Sequence, residues 1–174
     1  MTTARERVVE AAISIAARDG VPALTLDAVA AEAGVSKGGL LYHFASKEAL
    51  LAGMVESALT GWSADIDAAV GSDPVPTGRA ARAYLRSACD PGDDPSRELA
   101  LLTAAALDPR CAQAWRTAVD GWAAADGPEL DLLVTRLAAD GLWLARALGL
   151  YGLDAARIAA VTDRVTELTR DPRP

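Results

Sequence analysis

Residues 25–50 read TLDAVAAEAGVSKGGLLYHFASKEAL, and this stretch contains two short helical patterns separated by a glycine. Thr25 is a candidate N-cap for the first helix, and Ser36 is a candidate N-cap for the second, which the pattern places over residues 37–44. Gly34, between them, suits the left-handed turn that commonly ends a helix. Two short helices joined by a tight turn containing glycine form a helix-turn-helix unit.

Helical patterns also lie on both sides of this unit. Apolar residues recur at helical spacing over 5–18, and Ser46 is a candidate N-cap for a long helix from 47 to about 70. We therefore expect a three-helix, helix-turn-helix domain over residues 1–46. The long helix would connect it to a second helical domain over residues 47–174.

The rest of the sequence predicts further helices and no strands. Clusters of Gly, Pro, Ser and Asp indicate loops at 71–78 and 90–95. Helical patterns cover residues 79–89, 95–106, 109–125, 129–148 and 154–170. We predict an all-α fold with about nine helices.

The charge is distributed unevenly along the chain. The whole sequence has 17 basic and 24 acidic residues, for a formal net charge of −7. Residues 1–55 contain five basic and six acidic side chains (−1), so the other 119 residues, with twelve and eighteen, carry −6. Taken over the whole chain, this acidity argues against a nucleic-acid binder, but most of it lies outside residues 1–55. Both lysines of the chain, Lys37 and Lys47, nevertheless lie in the helix-turn-helix segment.

Several other classes of protein find no support in the sequence. The N-terminus lacks the pattern of a signal peptide, and no apolar run reaches the ~18 residues of a membrane span. Cys89 and Cys111 show no disulfide or metal-ligand spacing. The single histidine, His43, lies inside the helix-turn-helix, and no nucleophile elbow, P-loop or dinucleotide fingerprint is present. We predict a cytoplasmic protein that is not an enzyme, has no membrane association and needs no metal or cofactor.

The helix-turn-helix segment resembles the DNA-binding domain of the TetR family of repressors. The family pattern is roughly Thr-x3-Val/Ile-Ala-x2-Ala-Gly-Val-Ser-x-Gly-x-Leu-Tyr-x-His-Phe-x2-Lys-Glu-x-Leu, and the resemblance spans about residues 5–55. It implies a homodimer that binds double-stranded, palindromic operator DNA and is released by a small effector. The chain departs from the pattern at Leu41, where the family usually has tyrosine, and Tyr42 follows.

The resemblance implies that the second helix enters the major groove with its N-terminal residues nearest the bases. Lys37 could contact guanine or phosphate, and Lys47, whose charge is unfavourable at a helix start, could contact phosphate. Glycines at 38 and 39 cost a helix about 1 kcal/mol each relative to alanine, but they would let the backbone approach DNA closely. The predicted DNA-contacting residues are Thr25, Ser36, Lys37, Gly38, Gly39, Leu41, Tyr42, His43 and Lys47.

Each of these contacts has a purely structural alternative. The lysine at 37 could be a solvated side chain at a helix start, and the two glycines could mark a frayed turn. Tyr42 and His43 could pack on the domain, and the residues at 25 and 36 could act as helix caps alone.

The four tryptophans lie outside the DNA-binding segment. Tryptophan is commonly found in a core or an interface, but the resemblance implies an effector pocket among the middle helices, and such a pocket is largely apolar. The candidate residues for binding an unknown small, largely apolar effector are Trp62, Tyr84, Leu85, Cys89, Leu102, Trp115, Trp122 and Trp143.

The pattern over 129–148 is apolar on two sides, so such a helix must be covered on both. One side carries Leu130, Leu133, Val134, Leu137, Gly141, Leu144, Ala145 and Leu148. One side would face the core of the domain, and the other would form a dimer interface that the last helix completes, as the resemblance implies; either side could form the interface, and a fully buried helix in a monomer is the alternative. The predicted interface residues are Leu132, Ala139, Leu142, Trp143, Ile158, Val161, Val165 and Leu168.

The acidic balance and the leucine at position 41 leave a second function open. The chain could be a helical ligand-binding or partner-binding protein whose helix-turn-helix no longer binds DNA.

Overall fold

The computed structural model describes residues 2–89 and 94–170. Regular secondary structure in these ranges is helical throughout, which confirms the all-α prediction; the predicted loop at 90–95 falls, at 90–93, outside the described residues. The helices are α1 (Ala4–Asp19), α2 (Leu26–Glu32), α3 (Lys37–His43), α4 (Lys47–Ser72), α5 (Arg79–Cys89), α6 (Pro95–Leu107), α7 (Pro109–Ala124), α8 (Leu130–Ala147) and α9 (Ala155–Leu168). None of these helices is long and apolar enough to cross a membrane.

The described residues form two compact units. One consists of residues 2–60 and 94–116, and the other of residues 61–89 and 117–170. The helices α4 and α7 therefore each contribute residues to both units. The first unit extends beyond the helix-turn-helix because α6 packs against α1. The functional division at 46/47 stays a prediction.

The first unit is built around α1, which packs against α2, α3 and α6. Its apolar face is buried, and Val8 and Ala12 have no exposed surface. Arg97 of α6 forms a two-pronged ion pair with Glu10 of α1, at 2.7 and 2.8 Å. These contacts place the helix-turn-helix on a helical support that sequence patterns alone did not include.

A close packing contact fixes the connection from α3 to α4. Phe44, which follows α3, is buried, and its ring lies against Gly53 of α4. A Cβ atom at position 53 would lie 2.5 Å from Cε1 of Phe44. Glycine is therefore required here by space and not by backbone conformation.

In the second unit, α5 packs against α8 and α9. Its core cluster contains Leu85, Ala139 and Leu142, and the partly buried Val165 of α9 packs against it. Leu132 is also buried. The assignment of Leu132, Ala139 and Leu142 to a dimer interface is therefore wrong, because these side chains are covered by the core of their own unit.

An internal ion pair holds the loop between α4 and α5. Arg82 donates to Asp73 at 2.8 Å, to the carbonyl oxygens of Val75 and Thr77, and to the hydroxyl of Thr169 beyond α9. Both charged side chains are only 4% exposed. The guanidinium beside it lowers the pKa of the Asp73 carboxyl from an ordinary 3.8 to about 2.

Replacing Gly53 by alanine should destabilise the protein, because the added methyl group displaces the Phe44 ring. Overpacking of this kind costs on the order of 1–3 kcal/mol. Gly61 is the matched control, since it lies in the same helix and nothing is within 4 Å of an added Cβ. Gly61→Ala should stabilise the protein by up to about 1 kcal/mol through helix propensity. Thermal unfolding measures both, and equal effects would contradict the packing argument.

Replacing Arg82 by methionine should lower the free energy of unfolding at pH 7 by on the order of 3 kcal/mol, because the buried Asp73 carboxylate then keeps, among the described residues, only the more distant, exposed Arg86, at 3.7 Å, as a cation. Since the folded pKa of Asp73 is the lowered one, the stabilisation is complete above its ordinary 3.8 and is lost as the pH falls toward about 2. Urea titrations at pH 7, 5 and 3 should show that the difference in free energy of unfolding between wild type and variant becomes smaller as the pH falls. A difference that becomes larger as the pH falls would contradict a stabilising ion pair between Arg82 and Asp73.

Candidate DNA interface and effector region

Hydrogen bonds at both helix starts fix the turn between α2 and α3. The Thr25 hydroxyl accepts from the Ala28 amide at 3.2 Å, and the Ser36 hydroxyl accepts from the Gly39 amide at 3.0 Å. Gly34 adopts a φ of +63°, in the left-handed region. The predicted caps and the predicted turn glycine are therefore confirmed, whereas a phosphate contact from either hydroxyl stays a prediction.

One residue anchors α3 while the rest of the helix remains accessible. Leu40 is completely buried. Leu41 and His43 are exposed, and Tyr42 is 86% exposed. The rings of Tyr42 and His43 meet edge to face, with centroids 5.1 Å apart. This arrangement leaves α3 free to enter a groove, as a recognition helix must.

The two glycines at the start of α3 leave its first turn narrow. Gly38 is exposed, and an added Cβ would meet nothing within 4 Å. At Gly39 an added Cβ would lie 3.2 Å from the Ser36 hydroxyl oxygen that caps the helix. No other group in the described part of the chain covers Gly38, so the phosphate backbone of DNA could approach the helix there.

Lys37 and Lys47 differ in their environments. The Lys37 ammonium lies 2.9 Å from the Asp27 carboxylate in an exposed ion pair. The Lys47 ammonium donates to the carbonyl oxygens of Val21 and Pro22, at 3.1 and 3.4 Å. These carbonyls offset the unfavourable position of Lys47 at a helix start, for which the sequence suggested a phosphate. A DNA contact from Lys47 stays a prediction.

Aromatic side chains from four helix segments of the second unit form a connected cluster. The rings of Tyr84 and Trp122 lie 5.7 Å apart, and those of Trp62 and Trp143 lie 6.4 Å apart. The Trp122 indole donates to the Ser63 hydroxyl at 3.2 Å, beside Trp62 in the chain. Four of the predicted effector residues therefore belong to one cluster.

The other predicted effector residues lie elsewhere. Leu85 is buried in the core of the second unit, and Leu102 and Trp115 belong to the first unit. Cys89 is half-buried and accepts a hydrogen bond from the Thr162 hydroxyl at 3.4 Å. Burial raises the pKa of the Cys89 thiol.

Sequence reasoning missed Asp140 of α8, which joins the aromatic cluster. The Tyr84 hydroxyl donates a hydrogen bond to this carboxylate. Asp140 is exposed at the surface, while neighbouring groups partly desolvate its carboxyl and raise its pKa. Burial and this hydrogen bond also raise the pKa of Tyr84 above its usual range. The available signal was spacing, because Asp140 lies three residues before Trp143 on a helix.

The side of α8 that carries Leu130, Leu133 and Leu137 is exposed, apart from the buried Ala145. Its large side chains follow helical spacing, and Leu137, near the middle, is 60% exposed. Gly141 interrupts the row, with nothing near an added Cβ. In α9, Val161 is exposed and none of the helix residues is fully buried. The exposed α8 face consists of Leu130, Leu133, Val134, Leu137, Leu144 and Leu148.

Comparison with protein families covers most of the chain. Residues 8–54 match the family described as bacterial regulatory proteins, tetR family. Residues 78–170, more than half of the chain, match the tetracyclin repressor-like, C-terminal domain. The curated helix-turn-helix-type regulators YerO of Bacillus subtilis and TtgW of Pseudomonas putida are 43% and 38% identical over 51 and 53 residues. Those matches span 18% and 40% of the two relatives.

Solved structures resemble the chain over nearly its whole length. The multidrug binding protein EbrR, crystallised with malachite green, is 27% identical, with a TM-score of 0.69 and coverage of 95% of this chain and 97% of its own. A transcriptional regulator from Rhodococcus sp. is 21% identical, with a TM-score of 0.75 and 96% coverage of both chains. The second shows likeness of fold only. Together with the two family matches, these likenesses establish that the chain belongs to the TetR family of bacterial regulatory proteins.

Proposed function

We propose that the protein is a sequence-specific DNA-binding transcriptional regulator that a small ligand releases from a palindromic operator. The exposed surface of α3, held by the buried Leu40, is the observation that carries this proposal. Such a helix can read base edges in the major groove while residues around it fix the register on phosphates.

Lys37 would reach DNA by exchanging one anion for another. Its ion pair with Asp27 is exposed, and pairs of this kind contribute about 0–1 kcal/mol. A phosphate can therefore replace the carboxylate at small cost. Tyr42 and His43 extend the same surface and offer a hydroxyl and an imidazole as hydrogen-bonding groups.

The regulator acts as a homodimer in this proposal, with the exposed α8 face and the outer side of α9 as the contact surface. Exposed apolar residues that recur along one face of a helix are typical of a surface that another chain covers. Val161 and the partly exposed Ile158 and Leu168 of α9 would contribute. Two copies related by a twofold axis would present their α3 helices to half-sites about 34–36 Å apart.

The aromatic cluster is the proposed effector site. Tryptophan and tyrosine side chains combine large apolar surfaces with a polar group, which suits them to bind aromatic ligands. The similar fold of the multidrug binding protein EbrR, which was crystallised with malachite green, supports an aromatic ligand. Release would follow if the ligand binds better to a conformation in which the two α3 helices no longer match the operator spacing.

The alternative is a helical ligand-binding or partner-binding protein without DNA affinity. The net charge of −7 and the absence of a tyrosine at position 41 are the observations in its favour. Binding to operator DNA separates the two functions.

Gel-shift assays with the DNA upstream of the protein's own gene should yield a complex that resists competitor DNA. Tyr42→Ala should weaken it about tenfold, since a specific base contact contributes ~1–3 kcal/mol. Thermal unfolding should be unchanged, because Tyr42 is exposed. Thr60→Ala, an exposed hydroxyl that bonds within its own helix, is the control and should leave affinity intact. Absence of any complex at low salt would favour the alternative function.

Leu137→Glu should dissociate the dimer, because it places a charge in the centre of the exposed α8 face. The control is Leu107→Glu on α6, since both leucines are 60% exposed and the substitution is the same. Sedimentation velocity at micromolar concentration measures the oligomeric state. A monomeric wild type, or a Leu137→Glu variant that remains dimeric, would rule out this interface.

A further inference from the structure

We infer that Asp140, together with the aromatic side chains of Trp122 and Trp143, binds a positively charged aromatic effector. This inference rests on the proposed function, in which the aromatic cluster is the effector site, and it adds the charge of the ligand. The residue that selects a positive charge is Asp140, which is not among the effector residues predicted from the sequence.

The charge of the Asp140 carboxylate is available to a ligand. Within residues 2–89 and 94–170, no Lys, Arg or His forms an ion pair with this carboxylate. Its hydrogen bond comes from Tyr84, a neutral hydroxyl. A carboxylate has two oxygens with about four acceptor sites, so capacity for a cationic ligand remains.

The expected partner of Asp140 is engaged elsewhere. Arg136 lies four residues earlier on α8, which is the spacing that normally allows an ion pair. Its guanidinium instead donates to the Asp126 carboxylate at 3.2 Å and to the Ala123 carbonyl oxygen at 3.0 Å. Asp126 is held in turn by the Ala80 and Ala81 amides at the start of α5. This network keeps Arg136 away from Asp140.

Aromatic side chains lie near Asp140 in space or along its helix. Trp122 contacts the Tyr84 ring, whose hydroxyl binds Asp140, and Trp143 lies one helical turn after Asp140. Aromatic faces attract cations, and indole is the strongest of the natural side chains in this respect. Desolvation raises the pKa of Asp140, so an added positive charge would stabilise its ionised form. A carboxylate bonded to one member of this aromatic cluster therefore favours a flat cation over a neutral or anionic ligand.

Hydrogen bonding of Tyr84 gives the carboxylate a fixed direction. Because the tyrosine hydroxyl occupies one oxygen, the carboxylate is oriented before any ligand arrives. An oriented group loses less conformational freedom on binding than a mobile one does. Tyr84 is thus a positioning residue for Asp140.

Two probes that share one ring system test the inference. Ethidium is a permanent cation, and phenanthridine is its neutral parent at pH 7.5. Calorimetric titration of the full chain should show tighter binding of ethidium in the wild type. Asp140→Asn keeps an oxygen that accepts the hydrogen bond from Tyr84 but removes the negative charge. It should weaken the binding of ethidium roughly tenfold or more, while the affinity for phenanthridine changes less than about twofold.

Asp163→Asn is the matched control, because it removes an exposed carboxylate from α9 and should leave both affinities unchanged. Equal affinity of the wild type for both probes, no binding of either, or unchanged ethidium affinity in Asp140→Asn would each overturn the inference. Operator binding without any ligand is measured separately, since ethidium itself binds DNA. If the ligand test fails while the protein still binds operator DNA, the inference about Asp140 is wrong and the proposed DNA-binding function is retained.

Discussion

The contact between the Phe44 ring and the backbone of Gly53 is the constraint on which the presentation of α3 depends. Phe44 ends α3 and is buried, and no side chain larger than hydrogen fits at position 53. Leu40, one turn earlier, is buried in the same unit. With these two side chains inside, the residues between them must face outward. Burial of a few apolar groups thus determines which side of α3 is available to a partner.

Most of the fold follows from local sequence signals. Hydroxyl caps at Thr25 and Ser36, the left-handed Gly34 and the prolines that open α6 and α7 all mark helix boundaries, and their effects are local in the chain. The family pattern includes Thr25, Gly34 and Ser36, so it locates α2 and α3 correctly. Which α3 side chains are buried also follows from the pattern, since Leu40 and Phe44 are four residues apart.

What sequence could not supply is the choice between equivalent partners in space. Both sides of α8 are apolar, and only the packing of α5 shows that Leu132, Ala139 and Leu142 lie inside. The sequence pointed to a phosphate near the Lys47 ammonium and could not show its hydrogen bond to the Val21 carbonyl oxygen, because Val21 lies 26 residues away in the chain. Asp140 was missed for a similar reason: its tyrosine partner lies 56 residues earlier in the chain. Long-range pairing decides each of these cases.

The pairing of Lys37 with Asp27 bears on how such a protein would search a genome. Nonspecific affinity for DNA comes chiefly from counterions released when free cations meet phosphates. A cation already neutralised by its neighbour releases fewer of them, so random sequence would hold the protein only briefly. Target location would then depend on repeated three-dimensional encounters more than on sliding along the duplex. The protein would stay bound for a long time only at sites where contacts to the bases add to the weak attraction of the phosphates.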